Sequence, residues 1–101
     1  MRGKPMRDDR PCTLPEAVGD YASSTIARFH MPGHKGRSLM GPLGAALAPW
    51  DITEIAGMDN LHAPDGVILT TEQAYAQAYG ARHSFLLVGG STAGILAMLL
   101  S

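Results

Sequence analysis

Residues 28–37 read RFHMPGHKGR and carry two histidines, three cations, two glycines and a proline. His30 and His34 stand four apart, the spacing at which a helix presents two metal ligands on one face. Pro32 and Gly33 lie between them and forbid that helix, and no cysteine or carboxylate is close by in sequence to complete a ligand set. Two readings stay open. The segment is a rigid loop presenting imidazole and ammonium groups to an anionic or carbonyl ligand, or it is a solvated turn.

A second candidate is GGSTAG at residues 89–94. A strand that turns through glycines into a helix leaves backbone N–H groups unpaired at the positive end of the helix dipole, which makes an anion site. The hydroxyls of Ser91 and Thr92 add donors. The same residues also serve as an ordinary turn and N-cap. The stretch is neither a Walker motif, lacking Gly-Lys-Ser/Thr, nor a GxGxxG fingerprint.

Other chemistry-bearing residues say less. Asp51, Glu54 and Asp59 form an acid/base cluster or cap local turns, and lone loop carboxylates are usually caps. Cys12 has no evident base partner. His62 and His83 are individually uninformative, and Trp50 and Phe85 are expected in the core.

The elements that position these residues can be read from their neighbours. TLPE places Thr13 three residues before Glu16 with Pro15 in the first turn, which predicts a helix from there to about Ser23, with Leu14, Ala17, Val18, Tyr21 and Ala22 on one face. STIARFHM is β-branched and aromatic and reads as extended, with Pro32 steering Met31 away from helical geometry. Residues 39–47 read as a short helix stopped by Pro49, and residues 52–55 as a short strand. Thr70 and Gln73 offer a second capping box, so a helix is expected over about 71–79, ended by Gly80. HSFLLV is a continuous apolar run of the kind found in buried parallel strands, and GGSTAGILAMLLS turns into a last helix. Helix, strand, glycine turn and helix make α/β grammar.

Composition sets the outer limits. At 101 residues the chain is one small domain, and nine acidic against eight basic residues leave no electrostatic footprint for nucleic acid. Hydrophobic residues at 46% indicate a globular chain rather than a disordered one. A single cysteine excludes an internal disulfide, no signal peptide is evident, and the glycine turn interrupts the uncharged stretch 83–101 before it reaches membrane-spanning length. A cytoplasmic protein with no membrane partner is expected. The opening MRGKPMRDDRP lacks apolar periodicity, so residues 1–12 read as a flexible leader.

Taken in order, FHMPGHKG (29–36), DITEIAGMDNLHAPDG (51–66), YGA (79–81) and SFLLVGGSTAGILAML (84–99) resemble the N-terminal part of the major domain of the pyridoxal-phosphate-dependent ornithine/lysine/arginine decarboxylases. The resemblance covers residues 13–101 and implies an α/β fold of the aspartate-aminotransferase type (fold type I), here as a fragment with helices and one or two strands. It implies that Gly90, Ser91 and Thr92 cup the phosphate of pyridoxal 5'-phosphate. It implies that His30, His34 and Lys35 belong to the active-site entrance near a subunit interface. Gly89 departs from the family, which commonly has Asn there.

The resemblance further implies a lysine forming the Schiff base, an aspartate pairing with the pyridine nitrogen and a residue stacking on the ring. Lys4 and Lys35 match no such position, so no catalytic residue is assigned. Decarboxylation needs that lysine and an electron sink. The expectation is therefore a truncated member, inactive alone, of a lyase that decarboxylates arginine, lysine or ornithine in polyamine biosynthesis and works as a homo-oligomer. The alternatives are an aminotransferase or lyase fragment of the same fold type, and a non-enzymatic anion-binding or interaction module.

Overall fold

A computed structural model describes residues 6–37 and 41–101. The chain divides into two units, the first ending at Thr71 and the second spanning Glu72–Ser101.

The first unit opens with β1 (Met6–Arg7) and β2 (Arg10–Pro11), which pair antiparallel with Arg7 opposite Arg10. Asp8 and Asp9 between them both have positive φ, the backbone that a two-residue hairpin turn demands. This hairpin lies within residues 1–12, the stretch read as a flexible leader. Cys12 directly after the hairpin is 5% exposed and forms the core with Ala17 and Val67, against which Leu14 and Met58 pack.

Helix α1 (Leu14–Ala22) begins at the expected capping box. The Glu16 carboxylate accepts the Thr13 N–H at 2.9 Å and the Thr13 hydroxyl at 2.7 Å. It also pairs with the Arg10 guanidinium, so the hairpin and the helix share one carboxylate. Of the predicted apolar face, Ala17 is buried and Leu14, Val18, Tyr21 and Ala22 are half-buried.

Residues 24–29 form no regular secondary structure, and a cis peptide links Met31 to Pro32. Helix α2 (Gly41–Leu47) passes into a 3-10 turn, η1 (Ala48–Trp50), which carries the chain through Pro49 rather than stopping before it. The start expected at residue 39 lies outside the described residues. The Trp50 ring rests against α1, where a Cβ on Gly19 would sit 3.3 Å from it. Trp50 remains 51% exposed and is therefore not the core residue that its type suggested.

Helix α3 (Val67–Tyr79) starts four residues earlier than the Thr70–Gln73 pattern predicts. Its cap comes from outside the helix, as described below. Its end follows the prediction. Gly80 has φ +66, its N–H donates to Gln77 at 3.3 Å, and the Ala81 N–H donates to Ala76 at 2.9 Å, the paired bonds of a Schellman stop.

The strands expected at 52–55 and 84–88 do not form; among the described residues the only strands are β1 and β2. A strand exists through the ladder it shares with a neighbour, and an apolar run without that neighbour stays extended coil. Residues 84–86 are held instead by Glu72. Its carboxylate accepts the Leu86 N–H at 2.9 Å and its carbonyl accepts the Ser84 hydroxyl. Phe85, expected in a core, is 75% exposed. Helix α4 (Gly90–Leu100) follows the glycine turn as predicted, and only Gly94 on it is half-buried.

Candidate functional site

The histidine loop lies in the first unit, and both of its imidazoles are hydrogen-bonded. The Tyr21 hydroxyl is 2.6 Å from Nε2 of His30, whose Nδ1 faces the carbonyl of Met31. A carbonyl only accepts, so His30 carries its proton on Nδ1 and takes the tyrosine O–H at Nε2. His34 has the opposite tautomer. Its Nδ1 accepts the Gly36 N–H at 3.0 Å, and Nε2–H donates to Asp51 at 3.0 Å. Lys35 Nζ donates to the His30 carbonyl.

Arg28 completes the brace. Its guanidinium lies over the Tyr21 ring, 4.8 Å from the centroid, and donates to the Pro49 carbonyl at 2.8 Å. A Cβ on Gly36, which has φ +77, would come within 2.8 Å of that guanidinium, so both backbone angle and space call for glycine. The polarity of this segment thus fixes its shape. The structure brings His30, His34 and Lys35 together, with both nitrogens of each imidazole engaged. Sequence reasoning did not find Tyr21 and Asp51 as the partners of His30 and His34, nor Pro49 as that of Arg28, because separations of 9, 17 and 21 residues follow no helical or strand period.

Between residues 24–28 and the loop at 33–37 runs an open groove of about 620 Å³. Arg28, His34, Lys35 and Arg37 are on its walls together with residues 24–27.

Asp59 is a cap. Oδ1 accepts the N–H groups of Asn60 and Asp65 at 2.8 and 3.0 Å, and Oδ2 accepts those of Gly66, Ile68 and Leu69 at 2.8, 2.9 and 3.4 Å. Partial burial pushes this carboxyl up, but the amide donors outweigh it and hold it at about 2. The donation from Arg10, then from Thr13, likewise lowers Glu16 to about 2. Neither is placed to exchange protons near neutral pH. Among the described residues no three His, Cys, Asp or Glu side chains gather as a metal site.

In the second unit, Gly90, Ser91 and Thr92 form the first turn of α4 and are exposed. Gly90 has φ +73, no side chain caps the helix, and its leading amides are open to an anion. The turn is packed tightly from behind. A Cβ on Gly89 would lie 2.8 Å from the Ala93 Cβ, and one on Gly94 would lie 2.4 Å from Leu87 Cδ1. The phosphate end of pyridoxal phosphate fits such a turn, by backbone N–H and two hydroxyls.

Residues 12–101 match the family described as Orn/Lys/Arg decarboxylase, major domain. The chain is 40% identical over 96 residues to the uncharacterized protein YaaO of Bacillus subtilis, covering 87% of this chain and 19% of that one. It is 35% identical over 86 residues to an arginine decarboxylase of Bacillus subtilis and 34% identical over 86 residues to one of Halalkalibacterium halodurans, in both cases covering 80% of this chain and 18% of the relative. The chain thus spans about a fifth of the length of the curated relatives it matches. No solved structure matches it significantly.

Proposed function

The chain belongs to the Orn/Lys/Arg decarboxylase family, and from that membership we propose that it is the phosphate-cup segment of a pyridoxal-phosphate-dependent decarboxylase of basic amino acids. Arginine is the first substrate to test, since relatives carry the name arginine decarboxylase.

The observation that carries the reading is the first turn of α4. Gly90 in the left-handed region opens the backbone, and Ser91 and Thr92 stand exposed beside it, within the stretch that matches the family. These three residues bind the phosphate and so fix where the ring lies. The cofactor supplies the electron sink for loss of carbon dioxide. The loop with His30, His34 and Lys35 is the braced wall of the entrance, keeping its shape through internal bonds rather than moving protons.

Lys35 donates to the His30 carbonyl and matches no cofactor-binding lysine of the family, so the segment alone holds phosphate without turnover. The exposed apolar side chains of Phe85, Val88, Leu99 and Leu100 support assembly into a larger oligomeric enzyme. Among the described residues no helix is long and apolar enough to cross a membrane. The proposed setting is a cytoplasmic enzyme of polyamine biosynthesis.

The test is residue-resolved amide NMR with pyridoxal phosphate and with pyridoxal. Saturable shifts of Gly90, Ser91 and Thr92 with the phosphorylated form alone are expected. Equal shifts with both, or none at these residues, overturn the phosphate cup.

A further inference from the structure

The groove along residues 24–28 has an uneven charge. Arg28, Lys35 and Arg37 line it with Thr25, while the Ser24 hydroxyl donates to the Tyr21 carbonyl at 2.7 Å, and no Asp or Glu is among its lining residues. Asp51, the carboxylate bonded to His34, is not among them either.

The cations also have donors to spare. Among the described residues, Arg28 spends one of its five N–H donors, on Pro49, while its stacking on Tyr21 holds the guanidinium in place. Lys35 spends one of three, on His30. The Arg37 side chain is exposed and pairs with none of the described residues. A guanidinium held by Tyr21 and Pro49 in a groove that Lys35 and Arg37 also line suits an oxyanion, which accepts several N–H bonds at once. It repels the guanidinium or ammonium end of a basic amino acid.

We propose that this groove is an oxyanion-binding site, taking a phosphate or carboxylate group, distinct in its residues from the first turn of α4. The inference deepens the entrance reading of Lys35 and rests on it for the groove's place in the enzyme. A channel wall of this charge draws in the anionic end of an entering molecule and turns away its cationic end.

The experiment titrates the isotopically labelled chain, at low salt, with pyrophosphate and separately with acetate, reading backbone amides and the Arg28 Nε–H. Saturable shifts of Arg28, Lys35 and Arg37 are expected. The double variant Lys35→Gln/Arg37→Gln should weaken binding roughly tenfold, whereas Lys35→Arg/Arg37→Lys and the second-unit control Arg82→Gln retain it. Pyrophosphate binding well above acetate assigns a phosphate ligand, and equal binding assigns a carboxylate; both support the site. Absence of saturable groove shifts, or an affinity unchanged in the Gln double variant, overturns it. Shifts confined to Gly90, Ser91 and Thr92 overturn the groove site and leave the phosphate cup standing, and shifts confined to the groove do the reverse.

Discussion

The carboxylate of Asp59 lies 2.9 Å from the backbone N–H of Ile68, so α3 is capped by a residue eight positions before its first turn. Asp59 itself has φ +71, and Gly66 packs against its side chain, where a Cβ would meet the carboxyl carbon at 3.4 Å. The irregular stretch between them is thereby folded around one side chain. Replacing Asp59 by Ala leaves five N–H groups without this acceptor and should cost about 2–3 kcal/mol, with Asp59→Asn intermediate because it keeps one oxygen. Urea denaturation of the three proteins, read at Trp50, measures the order.

The same carboxyl and that of Glu16 make stability depend on acid. Both fall to about 2, from ordinary values of 3.8 and 4.5. A carboxyl with a depressed folded value adds stability that is fully present above its unfolded value and disappears as pH falls through the folded one. Stability should therefore hold above about pH 5 and decline between roughly pH 4.5 and 2. Urea midpoints across that range check this, and Asp59→Asn should flatten the decline. Added salt should blunt the Glu16 share, since the Arg10 pair is exposed.

In their neutral forms, the two histidines of the loop are predicted to be opposite tautomers. Met31 and Gly36 decide it, the one offering only a carbonyl to His30 and the other only an N–H to His34. Ring-nitrogen NMR should find the proton on Nδ1 of His30 and on Nε2 of His34. Tyr21→Phe should perturb the first ring and leave the second unchanged, at a cost of about 1 kcal/mol.

Two glycines beside the α4 turn should respond differently to a methyl group. At Gly89 the obstacle is the Ala93 Cβ, fixed to the helix, so Gly89→Ala must displace the start of α4 and lower helix content. At Gly94 the obstacle is the tip of Leu87, which is 53% exposed and can swing away. Gly94→Ala then gains helix propensity of up to about 1 kcal/mol against a small repacking cost. Helix content of both variants, by circular dichroism, separates them.

Glu72 stands in for a strand neighbour. Glu72→Ala should release the Leu86 amide to fast hydrogen exchange, and Glu72→Gln, which keeps an acceptor oxygen, should retain more of its protection.

Elements whose signals are local were legible in the sequence. Thr13 and Glu16 announced α1, Gly80 announced the end of α3, and the glycines before Ser91 announced the start of α4. The start of α3 was hidden because its cap is made across a turn, while Thr70 and Gln73 imitated a nearer one. The run at 84–88 looked like a strand because apolar composition reports a suitable environment, whereas a strand also needs a partner. Residue types marked the GST turn and the histidine loop as candidates. They could not show that the imidazoles are bonded to Tyr21 and Asp51, since those contacts depend on the folded path of the chain.

The most direct measurement of the central claim replaces the matching segment of the Bacillus subtilis arginine decarboxylase with residues 12–101 and follows carbon dioxide release from arginine. The account predicts a chimera that binds pyridoxal phosphate and turns over within about tenfold of its parent, and that loses cofactor affinity when Ser91 and Thr92 are both replaced by alanine. A soluble chimera that releases no carbon dioxide, or whose cofactor affinity ignores Ser91 and Thr92, would contradict it.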